Sequence, residues 1–405
     1  MSTLERFLRY ASIYTTSDDF SDTAPSTERQ KDLGRLLMQE LAELGLQDIR
    51  MDGAGNVIAT LPGRDAPAAP VLALIAHMDT APDAPGENVR PRILRYEGGE
   101  VKLSESASLT EALCPGLSSH VGEELVVTDG TTLLGADDKA GIAEIMGALE
   151  KLTAGGAPHG ELRILFTTDE ETGRGTDGLD VPALDCDFGY TVDGGPLAEI
   201  EYENFNAADA VAVFHGIGVH PGSAKDVMVN ASTAAMAFHA MLPPEQVPEK
   251  TEGYEGFFHL TSMNGTVTEA VLRYIIRDHD REKFQEKKAL FAACAEAVNA
   301  RYGAGTVSVE ITDSYYNMKE KILPHMELIR RAEGAFRANG CQPVCVPIRG
   351  GTDGARLSWE GLPCPNLPTG GYNFHSIREW IPVKSLDTMA DVLVTLIRSF
   401  AEDAG

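Results

Sequence analysis

Uninterrupted apolar runs alternate with segments of helical period along the first half of the chain. Val71 to Ala76 is apolar at every position, the pattern of a strand buried on both faces. Leu162 to Phe166 and Phe188 to Val192 predict two further strands, and Asp52-Gly53 separates two shorter strand-like stretches. Between these runs, Leu33, Leu36, Leu37, Leu41 and Leu44 share one face of a predicted helix that Ser26 and Thr27 precede and Gly45 ends. Ile142, Ile145, Met146 and Leu149 repeat the helical period after Gly135-Ala136-Asp137. Such alternation predicts an α/β fold: a mixed, largely parallel sheet flanked by helices.

From about Ala207 the texture changes. Val211 and Val213 mark a strand, Val229 to Leu242 a helix, and His259 to Thr261 and Val267 to Ile276 two strands joined near Asn264-Gly265. Asp280 to Tyr302 reads as a long charged helix with Phe284, Leu290, Phe291 and Val298 on its buried side, followed by a strand over Thr306 to Ile311. The order β-α-β-β-α-β is that of a ferredoxin-like α+β domain. After Asp313 the first texture returns, with a helix around Met326 to Phe336, a strand near Val344 and a helix from Ser385 to Phe400. The expected organisation is therefore one discontinuous catalytic domain, 1–206 and 314–405, interrupted by an inserted domain, 207–313.

A chain of 405 residues agrees with two domains. Its formal net charge of −27 argues against nucleic acid, whose phosphates require a surplus of Lys and Arg. No apolar run approaches bilayer length, so no membrane partner is expected. Met1 to Thr16 mixes Glu5, Arg6 and Arg9 with isolated apolar residues and lacks a secretory core. The six cysteines are scattered without a CxxC pair, which points to cytosolic thiols and a cytoplasmic location.

Several predicted strands and Gly turns lead into metal-binding side chains: His77-Met78-Asp79, Asp137-Asp138, Glu170-Glu171, Asp193-Gly194-Gly195 and, far along the chain, His375. An open α/β sheet presents ligand-holding residues at the carboxyl ends of its strands. Two His, two Asp and one Glu are hard or borderline ligands suited to a pair of divalent ions. Asp79, two residues beyond His77, is placed to orient the imidazole from behind. Taken in isolation Asp137-Asp138 reads as a helix N-cap with a favourable dipole charge; within the set, Asp137, which precedes its helix, is the better candidate for an ion bridge. Adjacent acids leaving a buried strand repel unless a cation or proton is shared. Glu171 is assigned as ligand and Glu170 as the base that takes a proton from a metal-bound water. Each segment alone also has a commonplace reading as a cap, a turn or a solvated acid. Signatures of HExxH, GxSxG and Walker chemistry are absent from the sequence, and no GxGxxG stands after a predicted strand.

These segments resemble the peptidase T family, the tripeptide aminopeptidases of the dinuclear-zinc exopeptidase clan. The likeness extends from about Tyr10 to the carboxyl end. It includes His77 to Asp83, Thr132 to Glu144, Tyr190 to Gly195, Tyr202 to Asn206, Val219 to Gly222, Tyr274 to Asp278, Asp313 to Met318 and Arg349 to Gly354. The resemblance implies two zinc ions held by His77, Asp137, Glu171, Asp193 and His375, with Asp137 between the metals and Asp79 and Glu170 as the active-site acids. It also implies a cis bond between Asp137 and Asp138. The inserted domain becomes a lid that recognises substrate, with His220 reaching the scissile carbonyl. Arg277 and Arg349 are then candidates for the substrate carboxylate; pairing with Asp278 and Asp353 is the alternative. Small peptides are the expected substrates, and some relatives dimerise through the inserted domain, so a homodimer is among the expected assemblies. A deacylase or dipeptidase of the same clan is the nearest rival, and a non-catalytic metal-dependent binding protein a more distant one.

Overall fold

The apolar runs form the centre of a six-stranded sheet in the computed structural model, which describes residues 1–402. The sheet order is Gln47–Met51, Val57–Leu61, Leu162–Thr167, Leu72–His77, Phe188–Gly194 and Asn366–Pro368. Leu72–His77 pairs in parallel with both Leu162–Thr167 and Phe188–Gly194, and Asn366–Pro368 extends the parallel set. Val57–Leu61 and Gln47–Met51 complete the other edge in antiparallel fashion. Every residue of Leu72–His77 is buried, because successive side chains enter opposite faces and both faces are covered. Ala73 and Ile75 join Ile58, Leu165, Leu357 and Leu362 in one apolar cluster. The helix Ala136–Gly155 packs against the Leu72–His77 and Phe188–Gly194 strands and against the helices Thr3–Ala11 and Val383–Glu402. Its close approach requires Gly141, where a Cβ would stand 1.9 Å from the Val192 carbonyl oxygen.

These elements belong to one compact unit, Met1–Tyr202 with Glu320–Val346 and the segment from Thr352 onward. A second unit comprises Glu203–Lys319 and Pro347–Gly351. It is a four-stranded antiparallel sheet in the order Phe257–Gly265, Glu269–Asp278, Asn206–His215 and Val307–Tyr315, with the helices Ala231–His239 and Arg281–Tyr302. Its connectivity is the ferredoxin-like one. Glu269–Asp278 alternates in burial, and Leu272, Tyr274 and Ile276 meet Phe214, Phe238, Phe284, Phe291 and Val298 in one core. Asn230 and Asp280 cap the two helices through their side chains, each accepting a backbone N–H three residues on.

Two local expectations change. Leu290 does not join the buried side of its helix: it is 38 % exposed, because the core stripe runs Phe284, Phe291, Val298 and Leu290 stands one residue off it. Ser26 and Thr27 do not cap the following helix, which runs Gln30–Glu43 from an uncapped Arg29. Ser26 instead gives both its backbone N–H and its hydroxyl to the buried Asp169 carboxylate, while its hydroxyl oxygen accepts the Asp18 backbone N–H rather than one from the helix. All six cysteines are free, and no described helix is long and apolar enough to cross a membrane.

Phe291 packs edge-on against Phe238 and Tyr274 at centroid distances of 4.9 and 5.2 Å. Phe291→Ala should cost about 3–5 kcal/mol, whereas Leu290→Ala should stay within about 0.5 kcal/mol. Urea unfolding of the full chain followed by far-UV circular dichroism separates them; comparable losses would contradict this helical register.

Candidate metal centre

The carboxyl edge of the parallel strands collects the acidic and imidazole side chains of the first unit. His77 ends its strand in register with Thr167. Beyond Thr167 the chain reverses at Asp169, whose φ is +61°, and Glu170–Thr172 make one tight turn. Asp193 lies near the end of the adjacent strand. Asp137 follows Gly135, whose φ of +78° turns the chain into the Ala136–Gly155 helix. His375, with φ +59°, comes from the loop after Asn366–Pro368. The bond between Asp137 and Asp138 is cis.

The side chains meet. His77 Nε2 lies 2.9 Å from Asp137 Oδ1 and 3.4 Å from Asp193 Oδ1. His375 Nε2 lies 3.2 Å from Asp137 Oδ2 and 2.9 Å from Glu171 Oε2. Asp137 therefore stands between two imidazoles, one on each carboxylate oxygen. Ligand atoms of His77, Asp137 and Glu171, and of His77, Glu170 and Asp193, fall within 4.8 Å of one another as two groups able to hold a cation. Asp79 lies behind this cluster and is fully buried. His77 Nδ1 is 3.1 Å from the Asp79 carbonyl oxygen and 3.4 Å from Asp79 Oδ1. The Asp79 carboxylate also accepts the backbone N–H groups of Glu170 and Glu171, at 3.1 and 3.2 Å. One carboxylate thus orients both an imidazole and the turn that carries the paired acids.

Crowding of acids in a buried edge dominates the electrostatics. Burial, followed by the charge of Asp137, pushes Glu171 up to about 8. Burial raises Asp193 to about 6 although His77 opposes it. Glu170 is held well above the usual carboxylate range by burial and by Asp193. Burial would pull both imidazoles down; instead Asp193 and Asp137 keep His77 well above its usual value, and hydrogen bonds to Asp137 and Glu171 carry His375 to about 11. Asp137 moves the other way, below the usual range, because its bonds to His375 and His77 outweigh burial. Glu171 Oε1 is buried without a hydrogen-bond partner. An orphaned carboxylate oxygen beside carboxylates that retain protons fits a site built for divalent cations, which would replace those protons.

The remaining candidates lie in the second unit. His220 is exposed, and its Nδ1 accepts the Gly222 N–H at 3.1 Å. Arg349 donates through Nη1 to the carbonyls of Gly253 and Glu255, and through Nη2 to the carbonyl and hydroxyl of Thr251. Arg277 Nη1 donates to the Arg349 carbonyl, while its buried Nε has no hydrogen-bond partner. Asp278 faces Lys287 at 3.4 Å, and Asp353 accepts the Thr167 hydroxyl at 2.8 Å. Sequence reasoning missed Asp138, whose Oδ2 accepts the His77 backbone N–H at 3.1 Å, and Glu379, which accepts backbone N–H groups around Asp137. The Asp137-Asp138 pair signalled the first; an isolated Glu in a loop signals nothing.

Comparison with known proteins gives the class and then the family. Residues 202–306 match the family model described as a peptidase dimerisation domain. A dinuclear metal binding peptidase of the M20 family from Bacillus subtilis aligns over 99 % of this chain and 97 % of its own at 16 % identity, with TM-score 0.65. Aminopeptidase PepT from Bacillus cereus ATCC 10987 aligns over 98 % of both chains at 24 % identity, with TM-score 0.79. These likenesses show the fold of such metallopeptidases, and the acidic cluster at its sheet edge is a candidate metal site. Peptidase T of Exiguobacterium sibiricum is 48 % identical over 99 % of this chain and 98 % of its own, and this chain belongs to the peptidase T family.

Glu171, Asp193, His77 and His375 all bind their protons more tightly in the folded, cation-free chain than in the unfolded one. Their stabilisation is complete below the unfolded values. It is lost as pH rises, from 3.8 to about 6 for Asp193, from 4.5 to about 8 for Glu171 and from 6.5 to about 11 for His375. Chelated protein should melt at progressively lower temperature between about pH 5.5 and about pH 8, and the gain on adding divalent cation should widen over that window. Differential scanning fluorimetry reads both; a pH-independent gain would contradict the electrostatic account.

Proposed function

We propose that the protein is a zinc-dependent tripeptide aminopeptidase that releases the amino-terminal residue. The observation that carries this reading is the convergence of His77, Asp137, Glu170, Glu171, Asp193 and His375 at one sheet edge. His77 and Asp193 would hold one zinc, Glu171 and His375 the other, with Asp137 between them, a donor set of imidazole and carboxylate suited to that ion. Bound there, the pair supplies Lewis acidity that acidifies water and polarises the scissile carbonyl. Glu170 takes a proton from the attacking water and passes it to the departing amine. Asp79 holds the His77 ring and, through two backbone N–H groups, the turn that aims Glu170. His220 would offer its imidazole to the developing oxyanion, and Arg277 and Arg349 would take the substrate's terminal carboxylate. A carboxylate held at fixed distance from the metals would limit peptide length. The organisation in which 1–206 with 314–405 does the chemistry and 207–313 recognises substrate is part of the same proposal. A homodimer is supported by the match to a peptidase dimerisation domain, and a cytoplasmic setting by six free cysteines.

A free tripeptide should be hydrolysed in preference to a dipeptide or an N-acyl amino acid, and chelation should abolish the reaction. Preference for the acylated compound would point instead to a deacylase of the same clan. Glu170→Gln should lower kcat about 10²–10⁴-fold with metal content near that of the wild type. Surviving turnover would remove Glu170 from the role of base.

A further inference from the structure

Glu379 is buried, and its carboxylate grips the turn that carries Asp137. Oε2 accepts the N–H groups of Leu134 and Gly135 at 2.6 and 2.7 Å, and Oε1 accepts that of Asp137 at 3.1 Å. These donors open the Ala136–Gly155 helix and flank the left-handed Gly135, so they have no partners within the helix ladder. The same loop that supplies Glu379 supplies His375, four residues earlier. Its base is closed by reciprocal backbone bonds between Tyr372 and Trp380, at 2.9 and 3.1 Å. The two rings stack at 4.2 Å with 6° between their planes. Trp380 Nε1 donates to Asn373 Oδ1 at 3.2 Å, and His120 Nε2 lies 3.1 Å from the Tyr372 hydroxyl. A braced loop therefore holds Asp137 twice: at its carboxylate through His375, and at its backbone N–H through Glu379.

We propose that Glu379 is a positioning residue that fixes Asp137 relative to His375 before cations bind, so that zinc meets a preorganised pair of ligands. Glu379 spends its carboxylate on the backbone N–H groups of Leu134, Gly135 and Asp137, and so acts through the peptide backbone of the turn. The inference rests on the metal-site reading above. Groups that orient metal ligands typically contribute ten- to a hundredfold in affinity. Glu379→Gln keeps the shape of the side chain but turns one acceptor into a donor facing a backbone N–H.

The test uses the full chain, stripped of metal and titrated with Zn²⁺ against a chromophoric chelator. The cation-free melting temperature and far-UV spectrum are recorded in parallel. Glu379→Gln should bind Zn²⁺ about ten- to a hundredfold more weakly, and its activity should recover as Zn²⁺ is raised. Glu379→Asp, which retains charge and both acceptors on a shorter stem, should fall between the two. A purely structural anchor would lower the cation-free melting temperature and leave Zn²⁺ affinity at the wild-type value; that result overturns the proposal. If Glu379→Gln fails to fold, Glu379→Asp carries the test, and wild-type affinity in that variant overturns it equally. Failure of the wild type to bind Zn²⁺ would sink the metal-site reading itself, a distinguishable outcome.

Discussion

Repulsion among carboxylates is the constraint around which the first unit is organised. Asp79, Asp137, Asp138, Glu170, Glu171 and Asp193 crowd one edge of a buried sheet, where water cannot separate their charges. The chain meets that cost in two ways. Some acids lie where backbone N–H groups point at them: Asp79 behind Glu170 and Glu171, Asp138 behind His77, Glu379 behind the Asp137 turn. The others, with the two imidazoles, face one another around space that fits divalent cations. The division separates acids held by backbone N–H groups from acids that face the imidazoles, and the fold decides which is which.

Parallel strands make this arrangement feasible. Their carboxyl ends lie side by side, so His77, the Glu170–Thr172 turn and Asp193 arrive from adjacent strands without long connections. Gly141 lets the helix behind them approach closely enough for Asp137 and Asp138 to reach the same edge. His375 comes from a loop held by the stacked Tyr372 and Trp380, and Trp380 is anchored in a separate apolar cluster with Tyr96, Leu109, Leu117 and Leu125. Rigidity around the centre therefore draws on packing some distance from it. The ferredoxin-like unit depends on its own aromatic core, and its Arg277 and Arg349 are tied into its loops by main-chain carbonyls.

Periodicity is a local property, and what depends on it was legible. Val71 to Ala76 declared a doubly buried strand because every position was apolar, and the β-α-β-β-α-β order followed from runs short enough to recognise singly. The likeness to peptidase T was likewise present in contiguous stretches. Leu290 shows where the local signal fails: an apolar residue next to a core stripe has the same composition whether it faces in or out. Ser26 shows the same limit, since which N–H a hydroxyl before a helix accepts, and to which acceptor it donates, is settled by the segments packed around it, here Asp18 and the distant Asp169.

The amino-acid order by itself determined the class of fold, the alternation of buried strands and helices, and which acids and imidazoles were available at strand ends. Only the folded chain decided that His77, Asp137, Glu171, Asp193 and His375 face one another, and that Asp79 and Glu379 turn away to hold backbone. The reason is distance along the chain. A hydrogen bond between Glu379 and the Asp137 turn joins residues 242 positions apart, and no spacing or propensity encodes such a pair until both ends are packed.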